Sequence, residues 1–169
     1  MKFLLRKEDI ERKVEELAKE IKREYEGKNP ILIGVLKGSF IFLSDLIRRL
    51  DFPLEVDFVE VSSYGMGKES SGKIRVRKGI RSDIKNRHVL IVEDIVDTGL
   101  TTKYLIESLK KKKPASIKLC SLLSKPSRRK VHVDIDFLGF EIPDKFVVGY
   151  GLDFAEKYRN LPYITEVEE

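Results

Sequence analysis

Three carboxylates stand close together in this chain, beside a turn that could hold a phosphate. An apolar run, Val89 to Val92, leads into Glu93 and Asp94, and Asp97 precedes the turn Thr98-Gly99-Leu100-Thr101. Open α/β sheets bind ligands outside the carboxyl ends of their strands, and a helix entrance offers free N–H groups to a phosphate. The carboxylates could accept hydrogen bonds from a vicinal diol or face Mg²⁺. The pattern therefore predicts a site for a ribose 5-phosphate, which supplies both a diol and a phosphate.

A simpler interpretation of these acids is a helix cap. Capping explains one aspartate near a helix start. It does not explain three acids within five residues at the end of an apolar strand, because their mutual repulsion needs a cation or hydrogen-bond donors to offset it. We therefore interpret the cluster as a binding site.

Regular elements must position this cluster. Apolar residues at helical spacing predict helices over Glu8 to Tyr25, Phe40 to Leu50 with Ser39 as its cap, and Thr98 to Lys112. Ser62 to Gly72 is rich in small residues and predicts a mobile loop. The predicted strands are Ile31–Leu36, Leu54–Val61, Ile74–Val76, His88–Ile95, Ser116–Leu123, Ile135–Phe140 and Phe146–Gly151. Alternating strands and helices predict an α/β fold with a mainly parallel sheet.

Composition limits the possible classes of protein and partner but does not choose among them. The 169 residues predict one domain, 1–169, and are 41% hydrophobic and 36% charged, with a net charge of +5. That charge favours anionic partners, phosphorylated metabolites and nucleic acid included. Cys120, the one cysteine, lies in an apolar run and is predicted to be a core residue. No apolar run is long enough to span a bilayer, so a cytoplasmic location is the default expectation.

The stretch Glu93 to Gly99 resembles the phosphoribosyl diphosphate (PRPP) motif of type I phosphoribosyltransferases. Nearly the whole chain resembles the bacterial hypoxanthine-guanine members of that family, through segments in the same order: Gly34–Gly38, Ser62–Gly65, Leu122–Lys125, Phe146–Asp153 and Tyr158–Asn160. The resemblance implies an α/β type I phosphoribosyltransferase fold. Its mainly parallel central sheet would be flanked by helices, with a small hood formed by terminal segments and a flexible loop.

The resemblance also implies roles on the PRPP side of a site. Asp97 would be the general base, and Lys37, Gly38 and Arg159 would hold pyrophosphate. The ribose and 5-phosphate would be bound by Glu93, Asp94, Thr98, Gly99, Leu100 and Thr101. Leu100 stands where some members have a polar or basic residue, so we expect backbone amides to bind phosphate there. A non-proline cis peptide is implied at Leu36-Lys37.

On the base side, the resemblance implies that Lys125 donates to a purine 6-oxo group, because an ammonium has only donors. Phe146 would stack on the base, and the Val147 backbone would contact its edge. Asp153 would be a further contact there and a ligand of Mg²⁺, together with Glu93 and Asp94. The loop at Ser63 and Tyr64 would close over the site and exclude water.

The expected substrates are PRPP and a 6-oxopurine, and the expected assembly is a homodimer or homotetramer. No nucleic-acid or membrane partner is expected. Two alternatives stay open: a phosphoribosyltransferase for xanthine or a pyrimidine, and a PRPP or nucleotide sensor that binds RNA or DNA through the basic strand Lys73 to Lys78. Arg128, Arg129 and Lys130 are interpreted as surface residues.

Overall fold

The structure, a computed structural model, describes residues 2–64 and 73–168. Its α-helices are α1 (Lys7–Tyr25), α2 (Phe40–Ile47) and α3 (Leu100–Lys110). Its strands are β1 (Lys2–Leu5), β2 (Ile31–Leu36), β3 (Glu55–Tyr64), β4 (Lys73–Lys78), β5 (His88–Val96), β6 (Ser116–Ser124), β7 (Phe137–Glu141), β8 (Val147–Val148) and β9 (Ile164–Glu166). A short 3-10 helix, Pro126–Arg128, follows β6. None of the helices in the described ranges is long and apolar enough to cross a membrane.

The larger sheet has the strand order β4-β3-β2-β5-β6-β7. Strands β3, β2, β5, β6 and β7 run parallel, and β4 pairs antiparallel with β3 at one edge. The predicted mainly parallel α/β sheet is therefore confirmed. β5 lies between β2 and β6, so the acids at its carboxyl end stand at the middle of the sheet.

A second, smaller sheet joins distant parts of the chain. β1 pairs antiparallel with β9, and β9 pairs antiparallel with β8. This sheet corresponds to the hood of terminal segments that the family resemblance implied. β1 and β9 were not predicted, because strands of three or four residues are too short to show an alternating pattern.

Two apolar layers hold the large sheet in place. On one face Leu17 of α1 and Phe42 of α2 share an apolar cluster with Leu90 of β5. On the other face Leu105 of α3 packs with Ile91 of β5. β5 thus has residues in both layers, which fits its nearly continuous apolar run and the buried side chains it shows. Cys120 is fully buried, which confirms its assignment to the core.

The segment from Ser62 to Tyr64 differs from its prediction as a loop. β3 continues through these residues, because Ser63 pairs with Ile74 and Tyr64 pairs with Lys73 on β4. β3 therefore extends to Tyr64, and the other residues of the predicted loop, 65–72, lie outside the described part of the chain. The role predicted for Ser63 and Tyr64 in closing the site stays a prediction.

Two smaller boundaries also differ. Ser39 does not cap α2 with its side chain; its hydroxyl instead donates to the Val35 carbonyl at 2.7 Å. The strand predicted over Phe146 to Gly151 is limited to Val147–Val148, since Gly149 and Gly151 adopt φ values of 104° and 100° that extended strands do not use.

The buried Asp57 carboxylate fixes the segment that leads into β5. It accepts hydrogen bonds from the backbone N–H groups of Phe58, Arg81 and Ser82 at 2.7, 2.8 and 2.9 Å. Burial alone would raise the pKa of Asp57, but these N–H groups outweigh it and hold the pKa below its ordinary value. The carboxylate therefore stabilises the fold above the unfolded-state pKa, and this stabilisation is lost as the pH falls through the folded pKa.

We expect Asp57→Asn to lower the free energy of unfolding at pH 7 by about 1–3 kcal/mol, because an amide cannot accept from all three donors. The deficit should shrink as the pH falls below the ordinary carboxyl pKa of about 4, because the unfolded wild-type chain is then protonated at Asp57 and the folded carboxylate follows at lower pH. Urea unfolding of both proteins at pH 7 and pH 3 measures this. A deficit that stays constant or grows in acid would contradict the account.

Candidate active site

Most of the predicted site residues line one cavity of about 340 Å³ at the carboxyl edge of the large sheet. From the predicted set, the lining contains Lys37, Gly38, Glu93, Asp94, Asp97, Thr98, Gly99, Thr101, Asp153 and Arg159. They come from the loop after β2, the end of β5, the start of α3 and the segment after β8. Leu100, Lys125, Phe146 and Val147 are not part of this lining.

Glu93 and Asp94 form a carboxyl pair at the end of β5, in which Glu93 is buried and Asp94 is half-buried. Burial and the neighbouring Asp94 raise the pKa of Glu93 well above its ordinary value. Burial also raises the pKa of Asp94, against the opposing effect of the Ile95 N–H, which donates to Asp94 at 2.8 Å. The pair is therefore short of positive charge and hydrogen-bond donors, which a ligand with hydroxyl groups or a cation would supply.

The turn at the start of α3 is held in shape from outside. Gly99 has a φ of 86°, and a Cβ there would lie 2.9 Å from Val133 Cγ2, so both conformation and space favour glycine. The Lys130 N–H donates to the Thr98 carbonyl at 2.9 Å. The Arg129 guanidinium donates to the Asp97 carbonyl at 2.8 Å and to Ser124 Oγ at 2.5 Å. The turn therefore holds the N–H groups of the helix entrance in a fixed geometry, with the Leu100 N–H making a long bond of 3.4 Å to Thr98 Oγ1.

Two cations face the cavity, and one carboxylate connects them. Lys37 Nζ lies 3.2 Å from Glu156 Oε2, and Arg159 Nη2 lies 3.6 Å from Glu156 Oε1. The same Arg159 nitrogen lies 3.4 Å from Asp153 Oδ1. Lys37 follows a cis peptide at Leu36-Lys37, as the resemblance implied. Lys37 and Arg159 are thus positioned for a multivalent anion, with Glu156 between them.

Gly38 brings the loop after β2 against the carboxyl pair. A Cβ at this position would lie 1.8 Å from Asp94 Oδ2, so a side chain here would displace the carboxylate. The structure therefore places Gly38 directly against the acidic motif. Their binding roles stay predictions.

The predicted base-binding residues lie beside the cavity. Lys125 is buried, and its backbone N–H donates to the Val96 carbonyl at 3.0 Å, so it stands next to Asp97. Phe146 is 41% exposed and contacts Phe154 edge-to-face, with ring centroids 5.6 Å apart. Val147 is buried in β8. Phe154 directly follows Asp153 of the cavity lining, so the exposed Phe146 ring adjoins that segment, and an aromatic ring of this kind is suited to stacking on a flat ligand.

Arg128 and Arg129 were predicted to be surface residues, and that prediction is wrong for Arg129 and incomplete for Arg128. Arg129 is half-buried, and both its hydrogen bonds hold the site. Arg128 is exposed, yet its Nε donates to Asp97 Oδ1 at 2.7 Å. Their position directly after the carboxyl end of β6 was a signal that could have identified them. Glu156 was also missed, and no pattern in the sequence connects it to Lys37.

The described residues contain no group of three or more His, Cys, Asp or Glu side chains that could hold a metal ion alone. Asp153 pairs with Arg159 and does not join Glu93 and Asp94 in a preformed cluster. The donor set nevertheless fits Mg²⁺, which binds through one or two carboxylates plus substrate phosphates and keeps several waters.

A parallel α/β sheet with paired acids, a helix-entry turn and two cations at its carboxyl edge defines a protein that binds a phosphorylated sugar. Comparison with known families makes this class specific. Residues 2–155 match the phosphoribosyl transferase domain, and the chain belongs to that family, with the type I phosphoribosyltransferase fold.

Individual relatives agree with this assignment. The chain is 52% identical to the hypoxanthine-guanine phosphoribosyltransferase of Bacillus subtilis, with 96% of this chain and 91% of the relative covered. It is also 52% identical to the enzyme of the same name from Aquifex aeolicus, covering 100% and 96%. A crystal structure of a hypoxanthine phosphoribosyltransferase from Staphylococcus aureus matches with a TM-score of 0.96 at 46% identity, covering 99% of this chain and 91% of that one.

Some relatives are much longer. A bifunctional TilS/HprT protein from Listeria monocytogenes is 48% identical over 96% of this chain, but the chain spans only 25% of that protein's length.

Proposed function

We propose that the chain is a purine salvage enzyme that transfers the 5-phosphoribosyl group of PRPP to hypoxanthine or guanine, giving IMP or GMP and pyrophosphate. The supporting observation is that one cavity brings together the carboxyl pair Glu93 and Asp94, a helix-entry turn and the cations Lys37 and Arg159. PRPP carries the matching groups, namely a diol, a 5-phosphate and a pyrophosphate. Lys125 stands next to Asp97 of this cavity, and Phe146 contacts Phe154, the neighbour of the lining residue Asp153. A flat base held by these two side chains would be brought to ribose C1.

On the PRPP side, Glu93 and Asp94 accept hydrogen bonds from the ribose hydroxyls. The 5-phosphate binds to the turn Thr98 to Thr101, whose free N–H groups and hydroxyls are donors. Lys37, Gly38 and Arg159 hold the pyrophosphate. Glu156 has to leave the two cations for this to happen, since its carboxylate and the pyrophosphate compete for them.

On the base side, Lys125 donates to the 6-oxo group, Phe146 stacks on the ring and the Val147 backbone contacts its edge. A purine nitrogen forms the new bond to ribose C1 while the bond from C1 to the pyrophosphate oxygen breaks. Asp97 accepts the proton that leaves purine N7, which makes the attacking nitrogen more nucleophilic. Closure over the site by the loop at Ser63 and Tyr64 excludes water that would otherwise hydrolyse the activated sugar.

Mg²⁺ is the proposed cofactor, and when bound it neutralises the charge of the departing pyrophosphate. Glu93, Asp94 and Asp153 are the residues that would hold it. Because the described residues offer no preformed cluster of three ligands, the ion and PRPP are expected to bind together. A homodimer or homotetramer in the cytoplasm is proposed from the family relationship.

The test is to incubate the purified protein with PRPP, Mg²⁺ and, separately, hypoxanthine, guanine, xanthine, adenine and uracil, and to quantify the nucleotide formed. We expect conversion of hypoxanthine or guanine, and little of adenine, whose 6-amino group cannot accept from Lys125. Conversion of xanthine or uracil alone would keep the PRPP site and overturn the assigned base. No conversion, together with salt-dependent binding of nucleic acid, would favour a sensor instead.

A further inference from the structure

We infer that Arg128 is a positioning residue for the reaction: it holds one oxygen of the Asp97 carboxylate and leaves the other to accept the proton of the base. The inference rests on the proposed function, in which Asp97 is the general base. It concerns a residue that the sequence indicated to be an ordinary surface arginine.

The contact between the two side chains is short and directed. Arg128 Nε donates to Asp97 Oδ1 at 2.7 Å, across 31 residues of sequence. A charged N–H···O⁻ bond of this length is among the stronger hydrogen bonds in proteins. In residues 2–64 and 73–168, Arg128 is the side chain that bonds to the Asp97 carboxylate, and Asp97 Oδ2 stays available to a ligand.

The Arg128 side chain is itself anchored on elements of the site. It ends the 3-10 helix Pro126–Arg128, and its backbone N–H donates to the Lys125 carbonyl at 3.1 Å. Its Nη1 lies 3.8 Å from Asp144 Oδ2, two residues before Phe146. Arg128 therefore connects three predicted parts of the site. These are the segment that leads to Phe146, which would stack on the purine, the residue Lys125, which would donate to the 6-oxo group, and the general base Asp97.

Asp97 is held at its backbone as well. Arg129 donates to the Asp97 carbonyl at 2.8 Å. Because Arg129 fixes the main chain of Asp97 and Arg128 fixes its Oδ1, the carboxylate has little freedom to rotate. A general base must lie within hydrogen-bond reach of the proton that it accepts, so fixing its orientation raises the rate of the chemical step.

The test compares Arg128→Met, which keeps the length of the side chain and removes its donors, with Arg128→Lys, which restores a cationic donor. Wild type forms IMP from PRPP and hypoxanthine if the proposed function is right; an inactive wild type would overturn that function and this inference together. We expect Arg128→Met to lower kcat about tenfold or more with the KM for PRPP within about twofold, and Arg128→Lys to recover part of the loss. Arg12→Met, which makes the same change at an arginine of α1 that is 69% exposed and outside the cavity lining, is the matched control and should stay close to wild type.

A double-variant cycle separates positioning from a general structural effect. If Arg128 acts through Asp97, adding Arg128→Met to Asp97→Asn causes no further loss of kcat. The same fold loss in both backgrounds would overturn the inference. An unchanged or increased kcat in Arg128→Met, with an active wild type, would also overturn the inference. Arg128 would then have no effect on the reaction or would reduce the ability of Asp97 to accept the proton.

Discussion

Replacing Asp97 with Asn is expected to reduce kcat for IMP formation by about 10²–10⁴-fold, the range that general acid–base catalysis contributes. The amide has nearly the shape of the carboxylate but cannot accept a proton at neutral pH. Affinity for PRPP should change little, because the ribose and phosphate contacts are assigned to Glu93, Asp94 and the turn after Asp97. Steady-state kinetics and equilibrium dialysis with PRPP measure the two effects separately.

Asp134→Asn is a matched control for this variant. Asp134 is 84% exposed and pairs with His132, away from the cavity lining, so its amide variant should retain wild-type kcat. If Asp97→Asn kept kcat within about twofold of wild type, Asp97 would not be the base. If it lost PRPP binding as strongly as turnover, Asp97 would be a binding residue instead.

Replacing Glu93 with Gln is expected to raise thermal stability and to lower activity. The Glu93 side chain is buried beside Asp94. Burial and the neighbouring carboxylate both oppose the ionisation of Glu93 and raise its pKa. A neutral amide of the same shape removes this repulsion and can donate to Asp94. A gain of about 1 kcal/mol corresponds to a rise in Tm of about 2–4 °C for a chain of this size.

Activity should fall in the same variant, because a carboxylate–hydroxyl hydrogen bond contributes about 1.5–3 kcal/mol, or roughly 10–100-fold in kcat/KM. Differential scanning fluorimetry without ligand at neutral pH and kinetics with varied PRPP measure both changes. Glu107→Gln on the exposed side of α3 is the control and should alter neither. A lower Tm for Glu93→Gln would mean that the carboxyl pair stabilises the fold and is not held for a ligand.

The acidic motif could be predicted from sequence because its information is local. Glu93, Asp94 and Asp97 follow one apolar run, and a central strand places such residues at the carboxyl edge in any parallel sheet. Likewise β2, β5 and β6 were predicted near their observed bounds, since buried strands have continuous apolar runs. The cavity lining confirms the placement of these acids.

Contacts between distant segments could not be predicted. The bonds from Arg128 to Asp97 and from Lys37 to Glu156 span 31 and 119 residues, and each depends on how loops meet. β1 and β9 have four and three residues, too few for a periodic signal. The boundary of β3 was missed because Ser62 and Ser63 are typical of loops, whereas pairing with β4 keeps them extended.

The carboxylate of Glu156 is expected to give the site a preference among anions that positive charge alone would not give. It is tethered beside Lys37 and Arg159, so it acts as an internal competitor at a constant effective concentration. A monovalent ion such as chloride would replace the two ion pairs of Glu156 with about one contact. A diphosphate has enough charge and oxygen atoms to pair with both Lys37 and Arg159, and so to displace the Glu156 carboxylate. The site is thereby expected to discriminate by valence, and to stay available to PRPP in the presence of abundant simple salts.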